Sequence, residues 1–301
     1  MSDYLKGAAT TASVPGIRLV CRQLLAAGPS SAAQLVAVLR PDDLMNGNGE
    51  GAALPGSLEV AADLRLIAKL GSGKDSGWEP GPALIAAKDA SKATESATAF
   101  RPLVAQALNG RARECIKQQQ DPSDVAKGLV WLLGRDPLAG IPWEWDDGAE
   151  PELIASGLKA AKVIENSTQW RPFWRWCVAL GYAHQLGLGG KRVLSVSSVA
   201  SIRDFASGTR GAIPASRFLT DLLEAVPVLG HADLLNTLPE KARPQGRGAA
   251  TALIAEGLYR LEAENLVDLQ PGDDSENVVQ LAPSDGESRV IRSVEWIGVE
   301  A

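Results

Sequence analysis

The residue types that carry covalent or acid–base catalysis are scarce in this chain. Only two of its 301 residues are histidine, His184 and His231, and neither has a carboxylate or cysteine neighbour at ligand spacing. Cys177 precedes His184 by seven residues across a predicted helix end, and a Cys–His pair is one way to activate a thiol nucleophile. A buried structural cysteine explains Cys177 better. We therefore predict that the chain has no catalytic residues and is not an enzyme.

Two glycine-rich stretches, LGSGKDS at 70–76 and GLGGKR at 187–192, invite comparison with phosphate-binding loops. A Walker loop needs a glycine, four further residues and then Gly-Lys-Ser/Thr, so that backbone N–H groups cradle phosphate and a hydroxyl holds magnesium. In the first stretch Ala68 stands at the first glycine position and Asp75 follows the lysine, and the second fails at Gln185. We predict that both stretches are hairpin turns.

Three acidic doublets are the only obvious candidates for a metal site: Asp42–Asp43, Asp146–Asp147 and Asp273–Asp274. A nuclease-type site also needs a further carboxylate and a Glu-x-Lys or similar pairing nearby, and no such pattern accompanies them. Solvated turns and helix caps explain the doublets better. The sequence therefore predicts neither a metal nor another cofactor.

Tryptophan is concentrated in the middle of the chain. Six of the eight tryptophans fall within 46 positions: Trp131, Trp143, Trp145, Trp170, Trp174 and Trp176. One interpretation is a tryptophan-rich core. The other is a recognition surface built on Trp143 and Trp145, which lie in a loop among acidic residues. Because those acids would repel phosphate, a protein partner suits this loop better than nucleic acid.

The stretch PEKARPQGRGAATAL at 239–253 has the composition of a nucleic-acid contact. Its Lys241, Arg243 and Arg247 could contact phosphates, and Thr251 could contact a thymine methyl group at the start of a helix that enters a major groove. A second basic pair, Lys191 and Arg192, lies in a predicted turn. A solvated loop explains the first stretch equally well.

The elements around these residues follow a repeated order. Near the C-terminus, Ile254, Leu258 and Leu261 form the apolar stripe of a helix that ends at Asn265. LVDLQ, the turn PGDDSEN and VVQLA follow as a predicted two-stranded ribbon, and SRVIRSVEWIGV is expected to be an added strand closing an edge. The order of helices, strand, turn and strand is typical of a winged helix, although the ribbon tip is acidic.

The same order occurs twice upstream. GIRLVCRQLLAAG, AAQLVAVL and SLEVAADLRLI read as three helices, with Ser30 or Ser31 as a cap, before a strand–turn–strand segment that ends near residue 80. WRPFWRWCVALGYAHQLGLGGKRVLSV at 170–196 reads as a helix and a ribbon, and DPLAGIPWEWDDGAEP as an irregular loop. We predict a mainly α fold with small β-ribbons. It comprises an N-terminal winged-helix domain (1–94), a helical middle domain with a candidate third winged unit (95–212), and a C-terminal winged-helix domain (213–301).

The totals limit the classes of protein that fit. The net charge of −6, with 7 basic and 15 acidic residues over 213–301, argues against coating nucleic acid by bulk electrostatics. Three dispersed cysteines without a CxxC pair fit a reducing cytoplasm. The N-terminus does not resemble a signal peptide, and no stretch approaches 18 uninterrupted apolar residues. We expect a cytoplasmic protein with no membrane contact.

Two resemblances add to this interpretation. The ending GLYRLEAENLVDLQPGDDSENVVQL resembles the winged-helix superfamily of bacterial regulators. The whole-chain plan resembles the DpdG family of accessory proteins, found in bacterial clusters that insert 7-deazaguanine derivatives into DNA. The matching features are the two terminal winged units, AKGLVWLLGRDPL and WRPFWRWCVALGYA. This resemblance implies a non-catalytic component of a DNA-modification or phage-defence system, and it supplies no catalytic residues.

These observations together predict a binding protein within a multiprotein system that acts on DNA. Its expected partners are the other proteins of that system, with double-stranded DNA as a further candidate. The alternative is a stand-alone winged-helix transcriptional regulator. An enzyme whose site is too dispersed to recognise is a third class.

Overall fold

The computed structural model describes residues 3–39, 53–71, 76–188, 190–243, 249–272 and 278–298, with side chains for all of these except 53, 147, 188, 191 and 249–251. The fold is mainly helical. In chain order the helices are α1 Val14–Ala27, α2 Ala32–Leu39, α3 Ala53–Asp63, α4 Pro82–Ile85, α5 Ala90–Glu95, α6 Ala97–Lys117, α7 Asp124–Leu133, α8 Glu150–Ala155, α9 Ser167–Ala179, α10 Val199–Ala206, α11 Ala215–Ala225, α12 Ala232–Asn236 and α13 Ala249–Ala263. Short 3₁₀ turns lie at Gly7–Thr11, Pro227–Leu229 and Glu240–Ala242, and a π-helical turn lies at Trp145–Ala149.

Three small antiparallel sheets accompany these helices. Their strands are β1 Ser30–Ser31, β2 Ile67–Leu70, β3 Gly77–Pro80, β4 Ile141–Pro142, β5 Ala183–Leu188, β6 Lys191–Val196, β7 Ile213–Pro214, β8 Val267–Pro271, β9 Val279–Leu281 and β10 Arg289–Trp296. The strand orders are β1-β3-β2, β4-β6-β5 and β7-β10-β8. In each sheet the first strand in the chain (β1, β4 or β7) therefore pairs with the last one (β3, β6 or β10), and that last strand lies in the centre.

Local sequence signals account for several helix boundaries. Ser31 Oγ accepts from the Gln34 backbone N–H, and Gln34 Oε1 accepts from the Ser31 N–H, the reciprocal capping box that begins α2. Ser123 caps α7 by accepting from Ala126 N–H. Asn265 has φ 56°, the left-handed conformation predicted for the end of α13. The predictions for Ser31 and Asn265 are confirmed.

The C-terminal ribbon differs from the prediction in its pairing. β8 and β9 do not form a hairpin with one another, because both pair with β10. β10 also pairs with β7 at Ser293 and Val294, so it is the central strand and does not close an edge. A sequence of alternating strands cannot distinguish these registers. The acidic tip residues Asp273, Asp274 and Glu276 lie outside the described residues.

One further segment is more regular than predicted. The stretch 136–151, expected to be irregular, contains β4, the π-helical turn and the start of α8. By contrast, the predicted ribbon over 182–196 is confirmed as the antiparallel pair β5 and β6.

The buried apolar residues form one continuous core that runs from Tyr4 to Val294. Tyr4 and Leu5 of the N-terminal segment connect helices α3 and α7 within this core. Asp124, at the start of α7, accepts backbone N–H groups of Tyr4 at 2.7 Å and Leu5 at 2.9 Å. The Tyr4 hydroxyl donates to Asp63 of α3 at 2.7 Å, and its ring lies 5.9 Å from that of Trp176. Each of the three sheets lies within one of the three predicted domains. The domain boundaries at 94 and 212 stay predictions.

The packing of α7 on α9 gives a direct test of the core. A Cβ atom at Gly128 of α7 would lie 2.5 Å from the Phe173 ring, whereas a Cβ at Gly110 of α6 would meet nothing closer than 3.9 Å. Overpacking costs about 1–3 kcal/mol, and Gly→Ala in an open helix gains up to about 1 kcal/mol. We expect Gly128→Ala to lower the free energy of unfolding by about 1–2 kcal/mol.

The matched control is Gly110→Ala, which should raise the free energy of unfolding by about 0.5–1 kcal/mol because it adds helix propensity without a clash. Chemical denaturation of both variants measures the difference. Equal stability of the two variants would contradict the close packing of α7 on α9.

Candidate binding cleft

The tryptophan cleft is a surface cleft of about 570 Å³ between the loop after β4 and the exposed face of α9. Nine residues line it: Trp143, Glu144, Trp145, Asp146, Ser167, Trp170, Arg171, Trp174 and Arg175. Both tryptophans that the sequence singled out, Trp143 and Trp145, are therefore part of one concave surface.

Backbone pairing holds the Trp143 side of the cleft. β4 pairs with β6, and the Trp143 N–H extends that pairing by donating to the Arg192 carbonyl at 3.0 Å. The Trp143 carbonyl in turn accepts from Trp170 Nε1 at 2.9 Å. Trp170 is 1 % exposed, so a buried residue of α9 anchors the loop. Gly148 is required nearby because a Cβ there would lie 2.4 Å from Pro142.

The helix α9 supplies the opposite side. Asn166 caps it by accepting from Gln169 N–H, and Gln169 Oε1 accepts from Glu165 N–H. The buried stripe of α9 includes Trp170, Phe173 and Cys177, which leaves other positions of the helix at the surface. One face of the amphipathic helix α9 thus packs in the core, and the other lines the cleft.

Both aromatic rings and charged side chains of both signs line the cleft. The rings of Trp143 and Trp174 have centroids 3.6 Å apart at an angle of 40°. The Arg175 guanidinium lies 5.4 Å from the Trp174 ring centroid, within the range of a cation–π interaction. Arg171 is exposed one helical turn before Arg175, and Glu144 and Asp146 are exposed on the loop. Apolar rings flanked by both charge signs suit recognition of a mixed, protein-like surface.

The contribution of Arg171, Trp174 and Arg175 was missed from the sequence. The stretch 170–196 was interpreted only as a helix followed by a ribbon, with no site on the helix. The spacing of the arginines indicates a separate face of the helix. Positions 171 and 175 are one helical turn apart and share a face that does not contain positions 170, 173 and 177.

The predicted nucleic-acid residues lie in two other places. Lys241 is exposed in the 3₁₀ turn Glu240–Ala242. Arg243 donates to the carbonyls of Asn236 and Leu238 and to Asn236 Oδ1, so its guanidinium already stabilises the end of α12. Neither residue lines the tryptophan cleft. Whether they contact phosphate stays a prediction.

The remaining predicted contacts are only partly described. Arg247 lies outside the described residues, and for Thr251 and Lys191 the backbone is described but the side chain is not. Arg192 is exposed on β6, and its carbonyl accepts from Trp143. The structure therefore brings one predicted nucleic-acid residue next to one predicted partner-binding residue.

The groups considered for catalysis are dispersed. Cys177 is fully buried, and burial raises the pKa of its thiol well above the ordinary value, which disfavours the thiolate nucleophile. His184 is exposed on β5. Within the described ranges, no three His, Cys, Asp or Glu residues gather as a metal-binding group. Likewise, none of the described helices combines the length and apolar character needed to cross a bilayer.

Comparison with known proteins identifies a family. No curated protein and no solved structure gives a significant match. The family model described as DpdG-like matches residues 7–275. That range contains the whole tryptophan cleft, all of the first two sheets, and β7 and β8 of the third. On this match, which covers most of its length, the chain belongs to the DpdG-like family.

Proposed function

We propose that the protein is a non-catalytic binding component of a bacterial multiprotein system that acts on DNA, in DNA modification or phage defence. Membership of the DpdG-like family supports the DNA-modification context. The observation that carries the binding role is the tryptophan cleft. There, ring faces lie beside charges that make no ion pair among the described residues.

We propose that the three sheets belong to three winged-helix units. In a winged helix a short strand follows the first helix, and it pairs with the last of the strands that follow the third helix. The orders β1-β3-β2 and β4-β6-β5 support this for the N-terminal and middle units. The order β7-β10-β8 supports it for the C-terminal unit, with β9 as an addition. In the middle unit α9 is then the third helix, and the tryptophan cleft lies on its exposed face.

A protein partner fits this cleft better than a DNA backbone. Trp and Arg are the residue types that most often dominate binding energy at protein interfaces, and the cleft offers Trp143, Trp174, Arg171 and Arg175. Glu144 and Asp146 on the same rim would repel phosphate but could pair with basic groups of a protein. The cleft is therefore assigned to another protein of the same system.

A stand-alone DNA-binding regulator is the second candidate, and one observation favours it. Among the described residues, Arg171, Arg175 and Arg192 make no ion pair, and they occupy the third helix and the hairpin of the middle unit. In helix-turn-helix proteins such a helix enters the major groove. The three arginines could then contact phosphates.

Co-purification separates the two functions. We expect the tagged chain, co-expressed with the other proteins of its DNA-modification gene cluster, to retain at least one of them at a defined stoichiometry through size-exclusion chromatography. Alone, it should bind duplex DNA weakly. A regulator would instead bind duplex DNA alone, with an affinity that falls steeply with salt because each neutralised phosphate releases counterions. Tight DNA binding together with no retained partner would overturn the proposal.

A further inference from the structure

Four charged residues line the tryptophan cleft, and the two signs of charge lie on different elements. Glu144 and Asp146 lie on the loop after β4 and form the acidic side of the cleft. Arg171 and Arg175 lie one helical turn apart on α9 and form its basic side. All four residues are exposed, so a ligand can reach them. The charges of the lining therefore sum to zero, with each sign confined to one side.

None of these four side chains takes part in an ion pair within the described ranges. Lys159 provides a contrast, because its ammonium lies 5.9 Å from the Trp145 ring centroid and is already paired with Glu150. The charges of the acidic side and of the basic side thus remain available to a ligand.

Aromatic rings, and not these charges, join the two sides. The rings of Trp143 and Trp174 have centroids 3.6 Å apart, and each tryptophan directly precedes a charged residue of its own side, Glu144 or Arg175. The Trp143 carbonyl also accepts from Trp170 Nε1 at 2.9 Å. Since these contacts hold the loop on α9 without using the charges, the opposite signs stay apart in the free protein.

A ligand that carries one sign of charge fits only half of this lining. An anion would pair with the basic side and be repelled by the acidic side, and a cation would meet the reverse. A ligand with both signs and an apolar part between them satisfies the charges and covers the rings. A protein segment supplies all three kinds of group in its side chains.

The direction of α9 favours an acidic group on the basic side. Ser167, in the first turn of α9, lines the cleft, and Asn166 caps the helix. The N-terminus of a helix carries a partial positive charge, which adds to the charge of the two arginines. The acidic group of a ligand is therefore expected on α9 and its basic group on the loop.

We propose that the partner protein docks in the tryptophan cleft through a segment that carries an acidic and a basic side chain on either side of an apolar one. The acidic side chain pairs with Arg171 and Arg175, and the basic side chain pairs with the acidic side of the cleft. The apolar side chain lies against the Trp174 ring. This inference rests on the proposed function, because it names the chemistry of the partner assigned to the cleft.

Charge reversal of each side, measured with the co-purified partner, tests the inference. We expect the double variants Arg171→Glu, Arg175→Glu and Glu144→Lys, Asp146→Lys each to weaken binding of the partner by about 10-fold or more in surface plasmon resonance at low salt. The direction of each effect is decisive. A purely acidic partner, or duplex DNA, would bind the lysine variant more tightly, and a purely basic partner would bind the glutamate variant more tightly. Either result would overturn the inference.

Arg22→Glu and Glu59→Lys are the matched controls. Both residues are exposed, on α1 and α3, and neither lines the tryptophan cleft or makes an ion pair among the described residues. We expect each to change the affinity less than about threefold. Circular dichroism reports whether every variant folds. Equal losses in the control and cleft variants would show a bulk charge effect and refute the inference.

Capped hexapeptides test the cleft without the partner. The probes are Gly-Glu-Leu-Leu-Lys-Gly, its reverse, and the two analogues in which both charged residues are glutamate or both are lysine. We expect at least one mixed peptide to shift the tryptophan indole N–H signals in NMR spectra of the full chain. It should bind about fivefold or more tightly than either analogue of single sign. Equal binding of such an analogue, or no shift with any of the four peptides, would contradict the inference.

The outcomes separate this inference from the proposed function. Where a partner is retained in co-purification, the charge reversals decide the inference. An affinity that neither reversal changes would then refute it while the proposed function stands. Where no partner is retained, the proposed function fails, and the peptides decide whether the cleft selects a ligand of mixed charge.

Discussion

Replacing Trp174 with alanine is expected to weaken binding of the partner protein by about 100-fold, which corresponds to about 2.7 kcal/mol. The Trp174 ring packs at an angle of 40° against that of Trp143, with centroids 3.6 Å apart, and the Arg175 guanidinium lies 5.4 Å from its centroid. Removing the Trp174 ring therefore removes a ring face available to a partner and its contacts with Trp143 and Arg175. Losses of this size are typical of tryptophans at the centre of a protein interface. The loss should appear in calorimetry or surface plasmon resonance with the co-purified partner.

Trp78→Ala is the control for this substitution, because Trp78 is a half-buried tryptophan on β3 that does not line the tryptophan cleft. We expect it to change the affinity less than threefold. Circular dichroism should show both variants folded, since Trp174 is itself only half-buried. If Trp174→Ala and Trp78→Ala bound the partner equally well, the assignment of the cleft would be wrong.

Replacing Asp124 with alanine is expected to lower the free energy of unfolding by about 3 kcal/mol at pH 5. The carboxyl group is 2 % exposed and accepts three backbone N–H groups, from Tyr4, Leu5 and Val125. Each buried N–H left without an acceptor costs about 1 kcal/mol or more. The substitution should also release the N-terminal segment, which limited proteolysis near residues 3–12 would detect.

Asp121→Ala is the matched control, because Asp121 lies just before α7 with a side chain that is 74 % exposed. Its ion pair with Lys127 is at the surface, and we expect less than about 0.5 kcal/mol from its loss. Chemical denaturation of both variants measures the difference. Equal effects would contradict the role of Asp124 in holding the N-terminal segment.

The same group predicts a pH dependence with a definite sign. Burial raises the pKa of Asp124 from 3.8 to about 6, with a smaller contribution from the Asp3 carboxylate, although the backbone N–H donors oppose the shift. A raised pKa means that the folded state holds the proton more tightly, so the stabilisation is complete below pH 4 and is lost as the pH rises through 6. The shift corresponds to about 3 kcal/mol.

Asp124→Asn isolates this effect, because the amide does not titrate. Between pH 4 and pH 7.5 the wild-type free energy of unfolding should fall by about 2.5 kcal/mol relative to that of the Asn variant. Urea denaturation across this range measures both. If the free energy of unfolding of the two proteins changed in parallel with pH, the pKa of Asp124 would not be raised by burial.

The features that the sequence predicts well are those encoded locally. Ser31 and Asn265 were identified as helix boundaries because capping and left-handed backbone depend on a few adjacent residues. The β5–β6 ribbon was found because both strands flank one glycine-rich turn. Trp143 and Trp145 were selected because they lie in a loop, and they do line a surface cleft.

The features that the sequence does not reveal depend on contacts between distant residues. The central position of β10 is set by pairing with three strands, and alternation alone does not select partners. The bond between Tyr4 and Asp124 joins positions 120 residues apart. Arg171 and Arg175 were passed over because hydrophobic periodicity dominated the interpretation of α9. Recognising them as part of a site required the loop with Trp143 to be placed beside them.

Amide hydrogen exchange on the assembled complex tests the central claim most directly. If the tryptophan cleft holds the partner protein, peptides covering residues 141–149 and the first turn of α9 should exchange more slowly in the complex than in the free chain. Peptides covering α10, which contributes no residue to the tryptophan cleft, should be unchanged. Unaltered exchange at 141–149, with protection appearing elsewhere on the chain, would contradict the account.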